Sequence, residues 1–452
     1  MPYLRVRCTA RPSPFAELRV TGGKEFDCDN AVALRQAQGD RAARVGTRAK
    51  VLSATVIRKA AVGAATGFVL GYAAMRKVQA LRDLRTPYPP RARREPKRYA
   101  GEQRALMLAG VARTVAAIAM TAFVLADPLD RALRPLPRPL RAPAFALAAL
   151  VLDNLRDLGT DYVEGHLRER TYGTSEQSAR GWLADQAKSL AVGAVVTALL
   201  VELGDAIVVR APRRWPAIAI AATPPLLAFA TIVAPTLVMP LFNTYEPITG
   251  ELERRIRELA ARYGAGDASI LRFDMSRQTK KANAFVTGVL GTERIVLGDT
   301  LVAAFPADET LFVVAHELGH YVRRDPWLGI ALGTGMLSVT LLTADALLRR
   351  TTRHGLDSAA QGARLTFYAT LVQLALMPLA NAASRAMERR ADRFAVAATG
   401  DPAAGVRAFR RLGEQNLADP EPPRWAELLF ASHPPLASRI HDLERATVTP
   451  PS

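Results

Sequence analysis

"VVAHELGHYV" (residues 313–322) sets two of the chain's six histidines, His316 and His320, four positions apart, with Glu317 directly after the first. The wider stretch "ADETLFVVAHELGHYVRRD" (307–325) carries Leu311, Ala315, Leu318 and Val322 at spacings of four, three and four, the apolar stripe of an α-helix. Pro306 followed by Asp308 and Glu309 suits a helix N-terminus. On such a helix His316 and His320 project from successive turns on one face. Two imidazoles so placed can share a metal ion, with Glu317 in reach of a water on that ion. The competing reading is two satisfied histidines on a helix, and the scarcity of histidine in the chain weighs against it.

A hydrolytic zinc needs a third protein ligand and an open fourth position. The only cysteines, Cys8 and Cys28, lie far upstream. The segment "NAASRAMERRADRFAVAATG" (381–400) offers Glu388 and Asp392, four apart on one helix face, with Ala382, Ala386, Phe394 and Ala395 free to pack. Glu388 is the expected ligand. Asp392 sits behind it, where a carboxylate can hold the outer N–H of a ligand histidine and fix its tautomer. Taken alone, this pair beside Arg389, Arg390 and Arg393 reads as a solvated helix face; beside His-Glu-x-x-His the ligand reading prevails. Nitrogen and carboxylate donors on a hydrolase favour Zn²⁺, one per chain.

"HELGH", "NAASRAMERRAD" and "SHPPLASRI" (432–440) resemble the signature elements of the integral-membrane zinc metallopeptidases of the CAAX prenyl protease 1 family. So do "MPLFNTYEPITG" (239–250), "KANAFVTGVLGTERIVLGDTL" (281–301) and "YVEGHLRERTYGTSEQSARGWLADQAKS" (162–189). They stand in the family's order and cover roughly residues 55–445. The resemblance implies an all-α multi-span membrane protein, about seven helices around a hydrated chamber, with a zincin-like protease domain. Its implied substrate is a peptide or protein, a prenylated C-terminus among the candidates. It also implies that Asn283 hydrogen-bonds substrate backbone, and that His433 and Arg439 hydrogen-bond the substrate carbonyl and the developing oxyanion. Without the resemblance, Asn283 is an ordinary strand-start residue, and His433 and Arg439 serve equally well as capping and ion-pairing groups. His166, His354 and His441 have no partner in a motif and read as structural or exposed.

Composition agrees with a membrane protein. Hydrophobic residues make up 49% of a chain that is also 23% charged, and they are gathered in blocks at 60–75, 105–126, 142–151, 189–209, 215–242, 327–348 and 365–383. A span needs about 20 residues, so most of these qualify. A charge facing lipid is costly, so Arg113, Asp153, Arg156, Asp157, Glu202 and Asp205 should face the bundle interior or water. The basic run 76–104 is cytoplasmic by the positive-inside rule, and seven spans then put 243–325 and the C-terminal tail on the same side. Residues 1–50 conflict with that parity: they are basic yet sent outward. They lack the apolar region of a signal peptide and read as an uncertain basic extension. The net charge of +18 lies in membrane-flanking loops, which fits anionic lipid headgroups and gives no reason to expect nucleic acid.

The expected organisation is 1–50 extension, 51–242 spans one to five, 243–326 protease insert, 327–384 spans six and seven, and 385–452 the remainder of the protease domain. Within the insert, "NAFVTG" (283–288) and "ERIVLGD" (293–299) predict a small β-hairpin turning near Gly291. An exposed strand edge beside the helix can pair with an extended peptide through main-chain hydrogen bonds. The reading is therefore a membrane zinc metalloendopeptidase, with Glu317 as general base. The alternatives are a quality-control protease of the same fold without prenylated substrates, a non-catalytic membrane scaffold, and a transporter. An Ala- and Arg-rich chain without a secretory or retrieval signal points to a bacterium of high genomic GC content, hence to the inner membrane with the active site toward the cytoplasm.

Overall fold

The computed structural model describes residues 96–288, 292–352 and 355–448. The expected extension 1–50, the first span 60–75 and most of the basic run 76–104 lie outside the described residues. Five described helices are long and apolar enough to cross a bilayer: α1 (Pro96–Ala132), α3 (Ala179–Arg210), α4 (Trp215–Leu241), α8 (Asp325–Thr352) and α9 (Ala359–Thr399). The block 142–151 lies inside α2 (Arg138–Asp161). Arg138, Arg141, Asp153, Arg156 and Asp157 leave α2 too short an apolar stretch for the same description.

These helices pack α2 on α3, α4 on α8, α8 on α9 and α9 on α1. Arg113 of α1 turns toward α2 and its continuation, where Asp157 lies at 3.2 Å and Glu164 at 3.7 Å. Pairing of this kind is what makes a charge tolerable on a helix of this composition. Glu202 of α3 is exposed.

Between α4 and α8 the chain builds a small unit. A four-stranded sheet has the order β1 (Tyr245–Pro247), β2 (Ser269–Phe273), β4 (Arg294–Gly298), β3 (Ala284–Thr287). β2 and β4 run parallel, and the two outer pairs are antiparallel. The expected hairpin is β3–β4. β1 and β2 are additions to the expectation, since runs of three and five residues carry too little pattern to stand out. The hairpin turn requires glycine at 288: φ is +93°, and a Cβ there would lie 2.1 Å from the carbonyl oxygen of Thr292. The helices of this region are α5 (Glu251–Ala261), α6 (Asp299–Ala304) and α7 (Ala307–Val322). After α9 come α10 (Pro402–Gln415), α11 (Arg424–Phe430) and α12 (Leu436–Val448).

α7 spans the residues its periodicity predicts, but its burial is broader than one stripe. Phe312, Val314, Ala315 and Leu318 are fully buried, while Val322 is 38% exposed. The cause is the number of neighbours: α9, α10, β3 and α5 all pack on α7. Phe312, edge-on to Phe409 of α10, contributes about 2–3 kcal/mol by its burial alone.

α9 is one unbroken helix of 41 residues, so the seventh expected span and the Glu388 segment are a single element with no break at 384/385. At 1.5 Å per residue it is about 60 Å long, roughly twice the hydrocarbon thickness. A helix that spans the membrane over 365–383 must emerge, and its emergent half carries Glu388 and Asp392 to α7.

Candidate metal centre

The site forms where α7 crosses α9. A Cβ on Gly319 would meet the Cα of Ala391 and Cδ1 of Phe394, each at 3.1 Å, so the glycine of HELGH is what lets the two helices approach this closely. The ligand atoms of His316, His320 and Glu388 lie within 4.8 Å of one another. His316 Nε2 stands 3.3 Å from Glu388 Oε2, and His320 Nε2 stands 3.5 Å from Glu388 Oε1. His316 and Glu388 are each only 6% exposed.

The far side of each imidazole is held by a carboxylate. His316 Nδ1 lies 2.9 Å from Asp392 Oδ1. His320 Nδ1 lies 2.8 Å from Asp325 Oδ2. A proton kept on each Nδ1 by these acceptors leaves both Nε2 lone pairs aimed at Glu388. The centre then joins two nitrogen lone pairs and a carboxylate, and Glu388 Oε2 is buried without a hydrogen-bond partner. Converging acceptors with an orphaned buried oxygen fit a bound cation. Without a cation the site must take up protons instead. Burial alone would push the His316 imidazole down, but the Asp392 and Glu388 carboxylates beside its two nitrogens outweigh it and the group is pushed up to about 9.

Asp325 was not singled out by the sequence. Arg324, between α7 and α8, adopts the left-handed conformation (φ +57°), which separates the two helices. Asp325, the next residue, lies on His320, and Arg390 Nη2 donates to its other oxygen at 3.0 Å. A sequence signal did exist, an aspartate five residues after the second histidine at a helix end.

Glu317 lies half-buried on α7, and burial raises its carboxyl above the usual range. A carboxylate shifted in this direction is better suited to exchanging a proton near neutral pH. His433 reaches the same centre from the segment between α11 and α12: its Nε2 lies 3.3 Å from Glu388 Oε1, its Nδ1 lies 2.9 Å from Ser432 Oγ, and its side chain is 62% exposed. The segment before it is pinned by Arg385 of α9, whose guanidinium donates to the carbonyls of Glu427 and Ala431. Arg439 is placed differently. It is 8% exposed and donates through Nε and Nη2 to both oxygens of Asp392 at 2.8 and 2.6 Å, with its guanidinium 4.0 Å over the Phe409 ring. Asn283 is exposed directly before β3, and its carbonyl accepts from Gly298 N–H at 2.9 Å.

Comparison with known proteins covers both halves of this architecture. The model for a CAAX prenyl protease N-terminal domain of five membrane helices matches residues 97–244, and that for peptidase family M48 matches residues 248–447. An uncharacterized metalloprotease of Bacillus subtilis is 29% identical over 323 residues, 69% of this chain and 75% of its own. CAAX prenyl protease 1 of Saccharomyces cerevisiae is 33% identical over 178 residues, which is 38% of each chain and well under two thirds. The crystal structure of S. mikatae Ste24p superposes with a TM-score of 0.69 at 21% identity, covering 87% of this chain and 98% of that one.

Proposed function

The chain belongs to peptidase family M48, as a multi-pass membrane metalloprotease of the CAAX prenyl protease 1 type, and from that premise we propose that it is a zinc endopeptidase acting on extended peptide segments. The observation that supports this most is the convergence of His316, His320 and Glu388, with each imidazole backed by its own carboxylate.

His316, His320 and Glu388 would hold the Zn²⁺, which would supply a Lewis acid able to polarise a peptide carbonyl and acidify water toward neutrality. Glu317 accepts a proton from the attacking water and delivers it to the leaving amine. His433, at the exposed side of the centre, donates a hydrogen bond to the oxygen on which charge develops. Arg439 was expected to share that task. With two of its donors committed to Asp392, we assign it instead to hold Asp392 and so the His316 tautomer. β3 presents the edge on which substrate backbone docks, beside α7, and the exposed Asn283 directly before it offers its side-chain amide to that backbone.

Docking through the main chain makes few demands on side chains. That favours a broad range of unfolded segments, the quality-control reading, over a single class of prenylated C-termini. The basic membrane-flanking residues favour a centre that faces the cytoplasm, and the Ala- and Arg-rich composition favours a bacterial inner membrane. The test uses purified full-length protein in detergent, its metal content measured, with cleavage followed through chelation and Zn²⁺ add-back. A prenylated CAAX peptide and unfolded β-casein run in parallel. Cleavage of casein that is abolished by chelation and restored by Zn²⁺ is expected; cleavage of the prenylated peptide alone would overturn the broad specificity, and cleavage insensitive to chelation would overturn the enzyme mechanism.

A further inference from the structure

β3 is an edge strand, and its hydrogen-bonding groups can be assigned to a side. Gly298 N–H donates to the Asn283 carbonyl at 2.9 Å, in the register that pairs Ala284 with Leu297 and Val286 with Ile295. In an antiparallel ladder the bonded positions alternate, so Asn283, Phe285 and Thr287 point their backbone groups at β4. Ala282, Ala284 and Val286 therefore point theirs to the open side, where an extended substrate would pair.

Ala282 is already taken. Its N–H donates to Asn416 Oδ1 at 2.8 Å, and its carbonyl accepts from Asn416 Nδ2 at 3.1 Å. A side-chain amide offers the same donor and acceptor as a peptide group, so Asn416 occupies this position as a strand partner would. The chain just before it is fixed as well. Gln415 Nε2 donates to the Lys280 carbonyl at 2.7 Å, and Thr300 Oγ1 donates to the Lys281 carbonyl at 2.7 Å. The Lys281 ammonium is held 2.9 Å from Glu169 Oε2 and 2.7 Å from the Tyr99 hydroxyl, both from the membrane-helix part of the chain.

We infer that Asn416 is a register stop: it closes the docking edge at Ala282, leaves Ala284 and Val286 as its usable positions, and so sets which substrate bond faces the centre. This rests on the reading of β3 as the docking edge. A strand that slips keeps its faces only in steps of two residues. Freeing Ala282 adds one such step, with two hydrogen bonds to reward it.

The test takes full-length protein and a synthetic β-casein peptide that the wild type cuts at one bond, with products read by mass spectrometry. In Asn416→Ala the ratio of cuts displaced by two residues to cuts at the original bond rises about tenfold. Asn416→Asp, which keeps the acceptor for Ala282 N–H and loses the donor to its carbonyl, shows a smaller rise in the same direction and decides the matter if the alanine variant does not fold. Folded variants that cut only the original bond with wild-type KM overturn the register stop. Docking itself is read separately, with peptides N-methylated at alternate backbone positions. If methylation leaves KM unchanged at every position the edge reading fails; if it raises KM while the variants show no displaced cuts, only the role of Asn416 falls.

Discussion

Replacing Gly319 by alanine tests whether the crossing of α7 and α9 sets the ligand spacing. The added Cβ would lie 3.1 Å from Ala391 Cα and Phe394 Cδ1, and 3.3 Å from Phe394 Cβ. Comfortable carbon contacts lie at about 3.5–4.0 Å, so the helices must separate by about 0.5 Å. Two terms act on stability. Alanine gains about 1 kcal/mol over glycine in a helix interior, and overpacking costs about 1–3 kcal/mol. The difference, about 0–2 kcal/mol of destabilisation, leaves a folded protein. The metal centre is less tolerant. His320 is adjacent to Gly319, Glu388 is three residues before Ala391, and ligand distances hold within about 0.2 Å. A shift more than twice that size should lower metal affinity about 10–100-fold, the range seen when ligand support is lost. The assay is competition with a chelator on full-length protein in detergent, with melting temperature taken on the same samples. Gly329→Ala is the control, because nothing lies within 4 Å of the Cβ it adds. Wild-type metal affinity in the Gly319→Ala protein would refute the argument that this contact positions the ligands.

Three further outcomes follow from the same geometry. Glu317→Gln should keep its metal and lose about 10²–10⁴-fold in kcat, the usual worth of a general base, and metal analysis beside a cleavage assay checks both halves. Asp325→Asn removes the carboxylate behind His320 and should weaken metal binding about 10–100-fold while melting changes little; unchanged affinity would make Asp325 a helix-end residue and nothing more. In the metal-free protein His316 has a pKa raised from 6.5 to about 9, so its contribution to stability is complete below about 6.5 and is lost as pH rises through 9. Metal binding must displace that proton, and a second from His320, whose pKa is also raised, so affinity should rise by at least about tenfold per pH unit below 9; competition titrations at several pH values would show it, and a flat profile would contradict it.

Much of this centre is legible along the chain because helices write themselves as local periodicities. The bounds of α7 follow from an acidic start after proline and an apolar run, and the spacing of His316 and His320 fixes their common face. Glu388 and Asp392 are likewise one turn apart, so the rotation that turns one toward the imidazoles turns the other as well, and Glu388 meets both Nε2 atoms while Asp392 meets His316 Nδ1. Five of the expected spans, 105–126, 189–209, 215–242, 327–348 and 365–383, were legible for the same reason and fall in helices long and apolar enough to cross a bilayer, whereas 142–151 falls in a helix whose flanks carry too much charge. The sheet was half legible: β3 and β4 have a glycine turn and apolar runs, whereas β1 and β2 are held by pairing with residues far away in sequence.

The parts that could not be read depend on the direction of a side chain across long separations. Arg439 is the instructive case. The family resemblance implied a place near the centre, and it is near: its Nη2 lies 3.4 Å from His316 Nδ1 and 3.7 Å from Glu388 Oε2. A displacement of a few ångströms decides whether a guanidinium faces substrate or sits behind a ligand, and here Phe409 and Asp392 hold it behind. Its buried charge needs Asp392, and Asp392, also buried, needs it. Removing Arg439 alone should therefore cost about 3–5 kcal/mol through the stranded carboxylate, while an oxyanion donor would cost rate and little stability. Arg439→Met separates the two: a large drop in melting temperature together with weakened metal binding supports the role of holding Asp392, and a stable, metal-loaded protein of low kcat would return Arg439 to the oxyanion.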